Sequence, residues 1–183
     1  DGSEVQEKRP VESVNWYKCI VFCNELTKKV YGSEQECVYR YLGNVYDKKT
    51  LEANQIPDIR KDKKGFRLPY KDEWEWAAKG GTEDKWPGTN DESKIDEYAW
   101  YKSNSEWKTH EVKMKKPNGY GLYDMSGNVM EFCWEKYPSS DSRLARGGNW
   151  SSRTPTHISR AFKEYLPSKN RGSERGLRVV CSQ

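Results

Sequence analysis

The chain has 183 residues, 32 basic and 28 acidic, for a net charge of +4; 33% are charged and only 34% hydrophobic. Such polarity would point to disorder, but 8 Trp, 12 Tyr and 4 Phe bury much area per ring, so the expectation is one folded, loop-rich domain over residues 1–183 with an aromatic core. The charges are interspersed without a basic stripe, which argues against nucleic acid as a partner, and no apolar run approaches membrane-spanning length.

In chain order, Trp16, Cys19, Ile20, Cys23 and Leu26 form an amphipathic stripe, so a helix is predicted from about Trp16, capped by Asn15 or Ser13 and ended by Lys28, Lys29 and Gly32. Residues 37–42 read as a strand and 47–64 as an exposed polar loop. A second helix follows Pro69, with Asp72 and Glu73 in its first turn, Trp74, Ala77 and Ala78 on one face, and Gly80-Gly81 at its end. Residues 82–94 read as a loop turning at Trp86-Pro-Gly88, residues 98–101 as a short buried aromatic strand, and residues 115–119 as a turn. Trp74, Trp76, Trp100, Trp107 and Trp134 are expected mostly in the core.

The five cysteines, Cys19, Cys23, Cys37, Cys133 and Cys181, form neither a disulfide framework nor a metal knuckle. Cys19 and Cys23, one turn apart on an apolar face, read as buried free thiols.

Near the C-terminus, residues 144–150, with the Gly147-Gly148 pair, and residues 177–181 both read as strands. Between them, residues 151–175 have no usable period and mix Ser, Arg, Thr, His, Phe, Glu, Tyr, Lys and Gly. Two well-specified strands around an unspecified polar-aromatic insert is the pattern of a rigid frame displaying a binding surface.

Several stretches together carry a family resemblance: Pro10-Val-Glu-Ser-Val-Asn-Trp-Tyr17, Phe66-Arg-Leu-Pro-Tyr-Lys-Asp-Glu-Trp-Glu-Trp-Ala-Ala-Lys-Gly-Gly81, Asn118-Gly-Tyr-Gly-Leu-Tyr-Asp-Met-Ser-Gly-Asn-Val129, Arg146-Gly-Gly148 and Gly176-Leu-Arg178. They resemble, in order, the formylglycine-generating, sulfatase-modifying-factor family. That resemblance implies an α+β, C-type-lectin-like fold with two helices, antiparallel β-ribbons and much irregular structure. It also implies a copper oxidase using two cysteines after the Gly-Gly pair. Those positions fall at about Ser152 and His157 here, and a hydroxyl and an imidazole do not replace two thiolates, so no enzyme activity is expected. A degenerate or divergent oxidase is the alternative from another class. His110 and His157 lie far apart in sequence, without metal spacing, which speaks against an iron-dependent relative.

Asp124, Gly127, Val129 and Glu131 match a calcium site of that family, through two carboxylates and two main-chain carbonyls. Either calcium binds there, or Asp124 and Glu131 accept from turn amides without a metal.

The same pattern is similar to the variable proteins of diversity-generating retroelements, whose C-terminal segment is rewritten at template adenines and displayed as a ligand-binding face. The resemblance places the variable region at about residues 150–175. An Asn codon with randomised adenines reaches codons for Ser, Arg, Thr, Pro, His, Phe, Tyr, Leu and Gly, never Lys, Glu, Gln, Met or Trp. Ser151, Ser152, Arg153, Phe162, Tyr165, Leu166, Gly172 and Ser173 suit that origin. Glu164 and Glu174, also candidate contacts, would need other template codons, and Trp150, Lys163 and Lys169 are either fixed or varied from other codons. Phe162 and Tyr165 read as hot spots or as plugs between ribbons; Arg153 and Glu164 read as adaptable polar contacts. Arg160, Arg171 and Arg178 read as frame residues pinning carbonyls. The expected partner is a protein or other macromolecule bound by a monomer at a bacterial cell surface. The only expected membrane link is a lipid-anchored leader that is not part of this chain.

Overall fold

A computed structural model describes residues 5–52 and 55–181. The first long helix, α1 (Trp16–Tyr31), starts where the Asn15 side chain accepts from the Lys18 amide and ends at Gly32, whose φ of 67° only glycine adopts cheaply. Its stripe is buried at Trp16, Cys19, Ile20 and Cys23. Asn24, also on α1 and fully buried, donates to the carbonyls of Tyr39 and Tyr46 and accepts from the Tyr39 amide. These bonds join the helix to β1 (Tyr39–Tyr41), the centre of a small antiparallel sheet with β2 (Asn44–Val45) and β3 (Asp58–Ile59). The stretch expected to be an exposed loop instead holds β3 and a short helix, α2 (Lys48–Glu52), capped by Asp47 accepting from the amide and hydroxyl of Thr50.

β4 (Phe66–Arg67) leads into α3 (Lys71–Lys79). Glu73 accepts from the Tyr70 amide and takes both guanidinium nitrogens of Arg67 at 2.6 Å, so one carboxylate secures the helix start and the preceding strand. At the other end Gly80 is left-handed, and a Cβ there would meet Asn118 and Gly119 at 2.8 Å. Asn118 covers this end by donating to the Ala77 carbonyl.

The central sheet has four strands in the order β7-β6-β5-β8: β5 (Met130–Lys136), β6 (Ser142–Arg146), β7 (Lys163–Pro167) and β8 (Arg175–Leu177). Only the β5–β8 pair is parallel. Side chains alternate, so each residue goes to one face or the other. Met130, Phe132, Ala145, Leu166 and Leu177 pack into the α1 core, while Cys133, Leu144 and Tyr165 pack with Trp74 and Ala78 of α3. The expected strand over 144–150 stops at Arg146, because Gly147 and Gly148 turn with φ of 87° and 65°. The expected strand over 177–181 is two pieces: β8 beside β5, and β9 (Val180–Cys181) antiparallel to β4.

Two further expectations need correction. Residues 98–101 are not a strand: they follow a 3-10 turn, Glu92–Glu97, and Trp100 makes an isolated bridge to Gly127. Ile95 and Ala99 there join Trp86, Tyr101 and Ile158 in a third cluster. Trp74 is buried as expected, but Trp76 and Trp107 are 62% and 63% exposed: Trp76 lies off the face of α3 that buries Trp74 and Ala78, and Trp107 sits in a loop.

Glu131, buried on the α3 side of β5, binds the two sides of the frame together. Its carboxylate accepts from Trp74 Nε1 at 2.6 Å and from Arg178 through Nε at 2.9 Å and a terminal nitrogen at 2.7 Å. That terminal nitrogen also donates to the Tyr123 carbonyl, so Arg178 pins a loop as the sequence suggested. Removing one member of a buried ion pair strands the other. Arg178→Met is therefore expected to lower unfolding free energy by about 3 kcal/mol, against about 1 for Arg178→Lys, read from urea melts.

Candidate functional site

The Gly147-Gly148 turn opens the segment predicted to vary. A Cβ on Gly148 would lie 2.2 Å from the His157 carbonyl, so the start of the segment is packed directly against its first turn. Asn149 accepts from the amide and hydroxyl of Ser151, and its own amide donates to Ser152 Oγ. The 3-10 turn Pro155–Ile158 is held by Trp86 Nε1 on the Pro155 carbonyl and Ser126 Oγ on the Ile158 carbonyl, with the Ile158 side chain fully buried. The amide of Arg160 then donates to the Lys85 carbonyl. Arg146, itself buried and paired with Glu75 at 2.8 Å, donates to the carbonyls of Ala161 and Phe162. β7 then runs antiparallel to β6. The main chain of the segment is thus fixed at nearly every turn by frame residues.

Its side chains behave differently. Ser151, Arg153, His157, Phe162, Lys163 and Glu164 surround a shallow concavity of about 440 Å³, with Met130, Asn149 and Ser152 completing its lining. Arg153, His157, Lys163 and Glu164 are exposed; the edge of Phe162 meets the His157 ring at 5.1 Å. An imidazole, a guanidinium, an ammonium and a carboxylate here face solvent, while Phe162 is half-buried against the α1 core.

The predicted contacts divide. Ser151, Ser152, Arg153, Phe162 and Glu164 come together at this concavity. Ser152 is 8% exposed and its hydroxyl serves the Asn149 amide, which makes it a loop support. Leu166 is 6% exposed in the α1 core, and Tyr165 packs beneath α3 with its ring edge-on to Tyr137 at 4.9 Å. Both are corrected to frame residues, because β7 sends them to the two covered faces of the sheet. Gly172, Ser173 and Glu174 lie elsewhere: the Gly172 carbonyl accepts from the Ser13 amide, the Ser173 carbonyl accepts from Trp150 Nε1, and Glu174 pairs with Arg175. Sequence reasoning did not place His157 and Lys163 at this concavity. Lys163 was set aside on codon grounds alone, and the polar, exposed edge position was the available signal.

At the calcium candidates both carboxylates have protein partners. The Glu131 carboxylate is already occupied by Arg178 and Trp74, which supply the positive charge and donors a cation would otherwise replace. Asp124 accepts from the Lys113 amide, and burial pushes its carboxyl above the usual range. Gly127 is glycine because a Cβ would lie 2.0 Å from the Trp100 carbonyl, a packing reason. Among the described residues no three His, Cys, Asp or Glu side chains converge as a metal site. Cys19, Cys23, Cys37 and Cys133 are buried free thiols, and burial pushes the Cys133 thiol well up, away from thiolate chemistry. The melting temperature is accordingly expected to agree within about 1 °C in millimolar calcium and in EDTA; a ligand-linked rise with calcium would contradict the geometry.

Residues 2–183 match the family model described as the sulfatase-modifying factor enzyme 1-like domain. The solved structure of Treponema denticola variable protein 1 superposes with a TM-score of 0.86 at 41% identity, over 100% of this chain and 74% of that one. A protein described as chaperone protein LppX, from Paenibacillus barcinonensis, is 34% identical over 97% of this chain and 71% of its own length. The inactive C-alpha-formylglycine-generating enzyme 2 of Bos taurus is 33% identical over 48% of this chain and 33% of its own length. Few helices, short curled sheets and these neighbours make the fold α+β and C-type-lectin-like. A match across residues 2–183, joined to a full-length structural likeness to a variable protein, shows that this chain belongs to the sulfatase-modifying factor enzyme 1-like family.

Proposed function

We propose that this protein is a non-catalytic ligand-binding module whose C-terminal segment, about residues 150–175, is diversified by a retroelement to recognise protein ligands at a cell surface. The observation that carries the reading is the division within that segment. Its backbone is bonded to the frame by Trp86, Ser126, Arg146 and β6, while Arg153, His157, Lys163 and Glu164 stand exposed around an open concavity that Phe162, partly buried against the α1 core, also lines. Side chains so placed can change without disturbing packing, because exposed substitutions away from caps and cores cost little. The likeness to Treponema denticola variable protein 1 supports the same reading. A concavity mixing both charges with an aromatic ring suits protein surfaces, which offer matching charges around apolar residues.

An oxidase would need two thiolates at the concavity. The corresponding positions hold Ser152, engaged by the Asn149 amide, and His157, hydrogen-bonded through Nδ1 to Thr154. Metal content of the purified protein, followed by a peptide-oxidation assay, separates the two readings, with neither metal nor oxidised peptide expected.

The division also predicts a stability contrast. Arg153→Ser and Glu164→Ser should each change unfolding free energy by less than about 0.5 kcal/mol, whereas Leu166→Ser should cost about 3 kcal/mol or more. Urea melts of the three variants decide the matter; equal losses at all three positions would remove the basis for display. In the source DNA, a reverse transcriptase beside a near-copy of the 3′ coding end, differing only at adenines, is the expected genetic counterpart.

A further inference from the structure

Trp107 is an exposed ring that packing does not explain. It is 63% exposed, and Glu106 and Trp107 both take left-handed backbone angles, φ 52° and 60°. That conformation is costly for residues bearing a Cβ and persists only where the surroundings impose it. The surroundings here are the two ends of the variable segment. Ser105 Oγ donates to the Trp150 carbonyl at 2.7 Å and the Lys102 amide donates to the Ser152 carbonyl at 3.1 Å, so the Trp107 loop is bonded to the start of the segment. The Trp107 ring meets the Trp150 ring edge-on, with centroids 6.5 Å apart, and Trp150 Nε1 donates to the Ser173 carbonyl near the segment's end. The Lys102 ammonium stands 4.9 Å from the centre of the Trp107 ring, on an otherwise exposed side chain.

We propose that Trp107, with Lys102 beside it, is a constant anchor of the ligand-binding face. It receives an apolar side chain flanked by a carboxylate on the protein partner, while the concavity beyond Ser151 supplies the varied contacts. This inference rests on the display function proposed above. Its physical basis is that a large ring with two rotatable bonds gives much contact area for little lost freedom, and the rigid loop has already met the cost of positioning it. A lysine beside the ring adds attraction for acidic groups. Another exposed aromatic pair, Trp76 and Tyr120 with centroids 4.7 Å apart, lies on and beside α3 and serves as a control.

The test uses the whole chain displayed on phage, randomised at Arg153, Phe162 and Glu164, and panned against the acidic protein ovalbumin. Trp107→Ala is expected to weaken most independent binders by about 30-fold and Lys102→Gln by about threefold, with Trp76→Ala changing none. Binders indifferent to Trp107→Ala would overturn the anchor while leaving display standing. A library yielding no binders would instead defeat display, and the anchor with it. Should Trp107→Ala fail to fold, fluorotryptophan labelling with Trp107→Phe as the assignment variant provides the readout. The Trp107 resonance must shift on adding ovalbumin, and an unmoved resonance in bound protein rejects the anchor.

Discussion

The frame depends on one buried carboxylate. Glu131 lies on β5, yet its partners come from α3 through Trp74 and from the last stretch of chain through Arg178. Burying that charge is tolerable only because both oxygens are met by donors, one of them a guanidinium that balances the charge. The same guanidinium reaches the Tyr123 carbonyl, and so fixes the loop that precedes β5. A chain with scattered charges and few aliphatic side chains thereby gains a rigid centre with no disulfide among the described residues.

From this centre the constraint passes outward to the candidate face. Arg146 lies on the same side of the sheet as Glu131, above the Trp74 ring, and it holds the carbonyls of Ala161 and Phe162. The buried side of the frame therefore sets where the exposed side chains begin. β7 completes the arrangement as the edge strand of the sheet, with exposed Lys163, Glu164 and Pro167 along it. Charged residues and proline on an edge discourage pairing with other chains, so the candidate face has no adhesive strand beside it.

Much of the local structure was legible in the residues. Asn15 and Gly32 mark both ends of α1, and Gly80 the end of α3, because side-chain capping and left-handed φ are properties of single residues. The Gly147-Gly148 pair marked a close approach that proves to be with the Met125 and His157 carbonyls. What was not legible depended on distant partners. α2 escaped notice because it is only five residues long and its Asp47 cap sits in a polar stretch. Residues 98–101 looked like a strand because aromatic residues bury equally well in a turn cluster. The donors around Glu131 were not legible either, because Arg178 stands 47 residues away in the chain and no local pattern announces that pairing.

The amino-acid sequence by itself determined the helices, their ends, the family motifs and the location of the segment that packing does not specify. The tertiary structure alone decided which side chains of that segment are exposed and which enter the cores. Leu166 and Tyr165 are adjacent, yet they enter opposite cores, because β7 belongs to a sheet covered on both faces by α1 and α3. Exposed Lys163 and Glu164 precede them on the same edge strand, so no apolar-polar alternation marks the covered residues until the helices are in place.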